Sequence, residues 1–479
     1  MMATSISDEN TTNYLSHCSV PWVLVVLAVI SAWHLLRRKQ SDLPPAISGW
    51  IPWLGCAIEL GKAPLDFIKQ CKTKHGSIFT IATTGQRLTF VTELEDFNHF
   101  FQSSSVDFQQ AVQDAVRHTS NIGEKHFFKS HTTIHDMMKG RLAPSNLHLY
   151  CSKLCKNFNA QLNKMAASGK DDLMFIVRRI MFTAVVNNLF GDDVLPTTDE
   201  KIQELEDKFV KYDEDFEYGS QLPEFVVKPW AECKHWLLSL FGGVIQKLEK
   251  EFQKPDTEQT LLKSLYDNVD REVAPNFSLL LLWASQANAI PITFWTLAFI
   301  FSDKEVLKSL GDEIESAVGD REGDLDVTEE DLRKMPGVKR AVLEAIRLRS
   351  PGVITRRVVK PFKIREYTIP AGDLLMLSPY WAHRNVTLFP DPEKFNPDRW
   401  LKADLEKNVF LDGFVAFGGG RYQCPGRWFA LMEIQMLVVL LLRNFDMKLL
   451  GPVPKESSLH LVGTQQPATK CHVEFTKVK

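Results

Sequence analysis

The spacing of apolar positions changes several times along this chain, and each change predicts a different element. Val20 to Leu36 is almost wholly apolar, broken by Pro21 and His34. It sits at the short end of what spans a bilayer. Trp50 to Leu60 and Leu65 to His75 predict a turn and a helix. Ser77 to Thr92 alternates with a period of two around Gly85, the pattern of a β-hairpin. From Phe97 to about Val342 the period is helical, with helices predicted at Leu147–Ala167, Leu173–Leu189, Asp199–Asp213 and Lys228–Phe252. Asn276 to Ser302 carries no charge, which permits a second membrane span. Gln286, Asn288 and Pro291 at its centre make lipid exposure costly, so a buried helix crossing the core is predicted, its polar middle facing a cavity. Strand patterns return at Val353–Val359, Phe362–Ile369 and Asp373–Leu377, with a final pair near Met447–Leu450 and His472–Lys477. Together these elements predict a mainly α (α+β) fold with small sheets.

Charge refines the N-terminal end. The first nineteen residues contain Asp8 and Glu9 but no Lys or Arg, and Arg37-Arg38-Lys39 follows the apolar stretch. No small-x-small cleavage site is evident, so a membrane anchor at 20–36 is expected rather than a signal peptide. The positive-inside rule then places a lumenal tail at 1–19, with the sequon at Asn10, and a cytosolic remainder. Trp22 and Trp33 suit the two interfaces, and a basic, Pro-rich linker at 37–48 leads to a catalytic domain at 49–479. That organisation implies a single-pass membrane protein with its folded domain in the cytosol.

Composition adds little beyond exclusions. The chain has 479 residues, 44% hydrophobic and 24% charged, and a net charge of −3. That is globular, and no overall basic field points to nucleic acid. Eight cysteines lie without CxxC pairs, which fits reduced thiols in a cytosol-facing domain, and Cys151 and Cys155 share a helix face for packing. No GxGxxG unit follows a predicted strand, so the chain offers no obvious flavin or NADPH fold and must take electrons from another protein.

The chemistry concentrates in Phe417-Gly418-Gly419-Gly420-Arg421-Tyr422-Gln423-Cys424-Pro425-Gly426. Glycines let a backbone approach a flat macrocycle, a cysteine thiolate ligates iron, and Arg421 can pair with a haem propionate. Pro425 precedes an amphipathic helix from Arg427 to Arg443. A lone cysteine in a Gly-rich loop is ordinarily core filler. The complete pattern is more specific, and it resembles the haem-binding signature of the cytochrome P450 superfamily.

The resemblance covers Pro44 to Lys479. It implies a haem b with Cys424 as axial ligand and metal site, held by Phe417, Gly418, Arg421 and Gly426, with Arg357 as a second propionate partner and Arg356 as its rival. Glu344-x-x-Arg347, followed by His383, Arg384 and Pro397-Asp398-Arg399-Trp400, resembles the family's buried triad. Glu344, Arg347 and Arg399 would lock the segment presenting Cys424. The family's usual Trp and Arg between Glu124 and Arg141 are missing, which leaves His131, Lys139 and Arg141 as candidates or as solvated helix charges. Most members carry an acid–threonine pair where this chain has Ala287 and Asn288. That variant resembles the sterol 7α-hydroxylases and the related prostacyclin synthase.

Gly49–Trp53, Tyr212–Pro223 and Leu281–Ser285 narrow the resemblance to oxysterol 7α-hydroxylases of cholesterol breakdown and bile acid synthesis. The implied substrate is 24-hydroxycholesterol, entering from the membrane lipid near Tyr212 to Val227. The implied electron source is NADPH through NADPH–cytochrome P450 reductase. Substrate-binding candidates are Trp283, Ala284, Ala287, Val353, Ile354, Leu461 and Val462, for each of which ordinary core packing stays open. Asn288 cannot act as an acid, but its amide can hold a proton-delivering water. A haem-thiolate isomerase of a lipid peroxide and a non-catalytic sterol- or gas-binding haem protein are the alternatives.

Overall fold

The computed structural model describes residues 42–478, apart from 193, 195, 197, 253, 255–258, 320–323, 406, 408 and 460. The expected anchor at 20–36, the tail with Asn10, and Arg37-Arg38-Lys39 lie outside the described residues. The helices that position the site are α1 (Gln109–Ser120), α2 (Glu124–Arg141), α3 (His148–Leu162), α4 (Leu173–Phe190), α5 (Asp199–Glu214), α6 (Lys228–Phe252), α7 (Ala274–Gln286), α8 (Ala289–Ser302), α9 (Pro336–Arg349) and α10 (Arg427–Asn444).

Among the described residues, three stretches are long and apolar enough to cross a membrane: Leu173–Phe190, Arg271–Ser302 and Gly420–Asn444. All three are largely buried inside the fold. Their all-round apolarity belongs to helices that other helices surround, not to helices facing lipid. α8 packs against α4, α9 and α10, and α3 packs on α4.

The predicted central helix is two helices. α7 ends at Gln286 and α8 begins at Ala289. Pro291 explains the break, since it offers no N–H to the carbonyl of Ala287 and its ring crowds that carbonyl. Asn288 therefore sits at a step in the middle of the molecule.

The strands are β1 (Ala46–Ile47), β2 (Ile78–Thr83), β3 (Gln86–Val91), β4 (Val106–Asp107), β5 (Ser168–Asp172), β6 (Ile354–Val358), β7 (Phe362–Ile364), β8 (Tyr367–Ile369), β9 (Leu374–Leu377), β10 (Phe445–Leu449) and β11 (His472–Lys477). A six-stranded sheet runs β1-β2-β3-β9-β6-β4, a three-stranded sheet β10-β11-β5, and β7 pairs with β8. The β2–β3 hairpin and the C-terminal pair follow the predicted patterns. β5 does not: a helix was expected to run to Ala167, whereas α3 stops at Leu162 and Ser168–Asp172 is extended. Its sequence is polar, so nothing local marks a strand. Pairing with β11 makes it one, and Gly169 leaves room for the Phe475 ring, which a Cβ there would meet at 3.0 Å.

Candidate functional site

The loop before α10 is shaped by two left-handed glycines, Gly418 at φ +70 and Gly420 at φ +68. A Cβ on Gly420 would lie 2.9 Å from the Phe101 carbonyl oxygen, so the turn is wedged against that segment. The Cys424 N–H donates to the Phe417 carbonyl at 2.9 Å and closes the loop. The sulfur is thereby delivered to the N-terminal end of α10, where the N–H groups of Gly426 and Arg427 hydrogen-bond it. Burial pushes the Cys424 thiol up, while these two N–H groups and the Arg427 charge oppose the rise. A metal ion at the sulfur would draw off the proton that burial retains.

Protein surrounds Cys424 on all sides, yet its side chain keeps open surface. Open surface on a side chain so enclosed lies inside the fold, beside the sulfur. The same holds in the middle of the protein, where Ala284 and Asn288 are exposed although the residues beside them on α7 and α8 are buried or half-buried. A sulfur carried on a glycine turn, backed by N–H donors and open only inward, fits a flat metal macrocycle with one protein ligand.

Around this loop lie Arg356 and His131, both named from the sequence, and Tyr422, which was not. Strand alternation turns Arg357 outward, where it donates to the Gly372 carbonyl at 2.8 Å. Arg356 points inward and is buried, its guanidinium 5.0 Å from the Phe100 ring centroid and 4.9 Å from that of Phe108. Burial lowers its pKa to about 10, and Tyr422 and Asp107 oppose the shift. Arg421 is exposed, its guanidinium 5.6 Å from the Tyr422 ring centroid. Tyr422, which sequence reasoning passed over, stacks on Phe108 at 4.9 Å and lies beside His131 and His135.

His131 is half-buried, and burial followed by the neighbouring His135 lowers its pKa to about 4. Its Nδ1 meets the Gln109 amide at 3.1 Å. Lys139 is exposed and Arg141 bonds Gln259 at 3.3 Å, so neither joins this group. The signal for Tyr422 and Arg356 was positional: two residues before Cys424 in a one-turn helix, and the inward phase of β6.

Glu344, Arg347 and Arg399 do come together. Arg347 donates Nε to Glu344 Oε2 at 2.9 Å and Nη2 to Oε1 at 2.8 Å, and both side chains are fully buried. Arg399 Nε reaches Oε1 at 2.8 Å. Trp400 Nε1 donates to Oε2 at 3.0 Å, and the Asn396 N–H to Oε1 at 3.1 Å. Arg347 Nη1 also donates to the carbonyls of His383 and Pro392, each at 2.7 Å. His383 in turn accepts the Val415 N–H at 3.2 Å, two residues before Phe417. The triad thus anchors the entry to the Cys424 loop.

Asn288 Oδ1 accepts from the Thr464 N–H at 2.9 Å and from its hydroxyl at 3.2 Å. A backbone N–H can only donate, which fixes the amide oxygen toward Thr464 and leaves the NH₂ as the open donor. Gly463 permits this approach: a Cβ there would lie 2.6 Å from Asn288 Oδ1. The same loop joins other wall candidates. Val353 N–H donates to the Leu461 carbonyl at 2.7 Å, and the N–H groups of Leu461 and Val462 donate to Glu217 at 2.7 and 2.6 Å. Trp283 donates Nε1 to Asp213 at 3.0 Å. Ala287 is buried in the core, and half-buried Ile354 pairs with Leu377 and packs on the sheet cluster. A separate cleft of about 280 Å³ between α4 and α5, lined by Arg178, Arg179 and Glu206, shares none of these residues.

The Cytochrome P450 family profile matches residues 44–473 of the chain. Human 24-hydroxycholesterol 7-alpha-hydroxylase is 46% identical over 95% of this chain and 98% of its own length. The mouse protein of the same name is 44% identical over 95% and 97%. Among solved structures, retinoic acid-bound cyanobacterial CYP120A1 superposes with a TM-score of 0.75 over 92% of this chain and 100% of that one. At 20% identity, it speaks for the fold alone.

Proposed function

This chain belongs to the cytochrome P450 family, and on that premise we propose that it hydroxylates oxysterols at C7 in the α configuration, 24-hydroxycholesterol first, in cholesterol breakdown and bile acid synthesis. The observation that carries the reading is the Cys424 sulfur, open only toward the interior. The substrate class follows from the likeness to the two curated hydroxylases.

Family membership implies a thiolate-bound haem. Cys424 would hold the iron, while Arg356, Tyr422 and His131 would meet the propionates. The bound haem supplies dioxygen activation and oxygen transfer to an unactivated C–H bond. The N–H groups of Gly426 and Arg427 moderate charge on the sulfur. Asn288 donates its NH₂ to a water or a substrate oxygen. Its own oxygen is taken by Thr464, so it orients a proton carrier without accepting from it.

Electrons come from NADPH through NADPH–cytochrome P450 reductase. Residues 20–36 anchor the protein in the endoplasmic reticulum membrane with the folded domain in the cytosol. Trp50, Trp53, Ile58, Phe225 and Val226 are exposed, and Tyr218 joins the two segments by donating its hydroxyl to the Gly61 carbonyl at 3.1 Å, so this apolar surface is where a bilayer-dissolved sterol would enter. The test is product identification. Holoenzyme with reductase, NADPH and 24-hydroxycholesterol is expected to yield the 7α-hydroxylated product. NADPH-independent rearrangement of a lipid endoperoxide, or no product with a competent reductase, would overturn the reading.

A further inference from the structure

Two acids stand on one side of the turn that follows α5. Asp213 lies near the end of α5, and Glu217 four positions later on the short helix Phe216–Gly219. Their backbone is held rigidly. Trp230 is buried and donates Nε1 to the Tyr212 carbonyl at 3.0 Å. Tyr212 stacks on Trp230 at 5.6 Å and donates its hydroxyl to the Thr119 carbonyl at 3.0 Å. Gly219 presses onto the other side, since a Cβ there would fall 2.2 Å from the Trp230 ring. Phe216 lies flat on Trp283, with centroids 3.9 Å apart and planes 6° apart.

Each acid uses one oxygen. Asp213 Oδ1 accepts from Trp283 Nε1. Glu217 Oε1 accepts the N–H groups of Leu461 and Val462. Asp213 Oδ2 and Glu217 Oε2 take no hydrogen bond or ion pair from a described residue. Both side chains keep some open surface, yet protein encloses them far enough that burial pushes both carboxyls up to about 7. The open oxygens therefore face inward. Trp283 is next to the exposed Ala284, and Leu461–Val462 leads through Gly463 to the Thr464–Asn288 contact.

We infer that Asp213 recognises a hydroxyl of the sterol, its free carboxyl oxygen meeting the O–H group while Trp283 holds the other oxygen and Glu217 latches the 461–464 loop over the ligand. This rests on the oxysterol reading above. A neutral alcohol suits the site because it both donates and accepts, and so pairs with this acid in either protonation state. The stacked Trp283 and Phe216 rings give the steroid skeleton an apolar wall beside it.

The experiment measures equilibrium binding of cholesterol, 24-hydroxycholesterol and 3-deoxy-24-hydroxycholesterol to holoenzyme. It compares wild type with Asp213→Ala and Asp213→Asn, with haem content as the folding control. Asp213→Ala is expected to weaken binding of sterols that bear the recognised hydroxyl by roughly 10- to 100-fold, leaving the sterol that lacks it within about 2-fold. Asp213→Asn keeps an acceptor for Trp283 and falls between. A loss confined to the two 24-hydroxylated sterols assigns the side-chain hydroxyl, and a loss confined to the two 3β-hydroxylated sterols assigns the ring hydroxyl. Equal losses for all three, or none, overturn the role of Asp213 and leave the oxysterol reading intact. Wild-type holoenzyme that binds none of them overturns that reading, and this inference with it.

Discussion

Two enclosed acid sites in this protein differ in how many of their oxygens are occupied. Around Glu344 both oxygens are used, by two guanidiniums, an indole and a backbone N–H. At Asp213 and Glu217 one oxygen of each is held and one is left open. A saturated acid has nothing left to offer a ligand, so its work is to fix the chain around it. A half-saturated acid inside a protein carries a standing cost that bound substrate can relieve. The difference separates structure from function among residues that look alike in a sequence.

Breaking the saturated site should have the largest effect. Glu344→Ala leaves Arg347 buried without its carboxylate and is expected to cost about 3–5 kcal/mol. Lower thermal stability and poor haem retention would report it. Glu217→Ala strands the N–H groups of Leu461 and Val462, and a smaller loss of about 1–3 kcal/mol is expected. If Glu217→Ala proves as damaging as Glu344→Ala, the two sites do not differ as described.

Asp213→Asn sharpens the contrast because its sign is opposite. Burial raises the Asp213 carboxyl to about 7, above its unfolded value, so the folded state holds the proton longer. Wild-type stability should therefore fall as pH rises from about 4 through about 7. The Asn variant has no such group and should gain on wild type across that window. Thermal midpoints of both holoenzymes at a series of pH values check this. A constant gap between them would contradict the open-acid description.

How much of each site was legible in the sequence follows the same division. The Cys424 loop and Glu344-x-x-Arg347 are compact in sequence, and both were recognised. The rest of the triad site was only half visible, because Trp400 was given no role beside Arg399 and is in fact a donor to Glu344. The Asp213 pair was invisible, since Trp283 lies 70 positions away and Val462 lies 245 from Glu217. Periodicity marked the central helix but not its break, although Pro291 carried the signal. Alternation along Ile354–Val358 could have chosen Arg356 over Arg357, had the buried phase of that strand been fixed.

Everything proposed for the open site depends on the sulfur of Cys424 being the atom that binds iron. The most direct measurement is the absorption spectrum of the reduced, carbon monoxide-bound protein, taken for wild type and Cys424→Ser at equal haem loading. The wild type is expected to show the red-shifted Soret band of a thiolate-ligated haem. Cys424→Ser is expected to lose that band together with sterol hydroxylation. A serine variant that retains both would contradict the account.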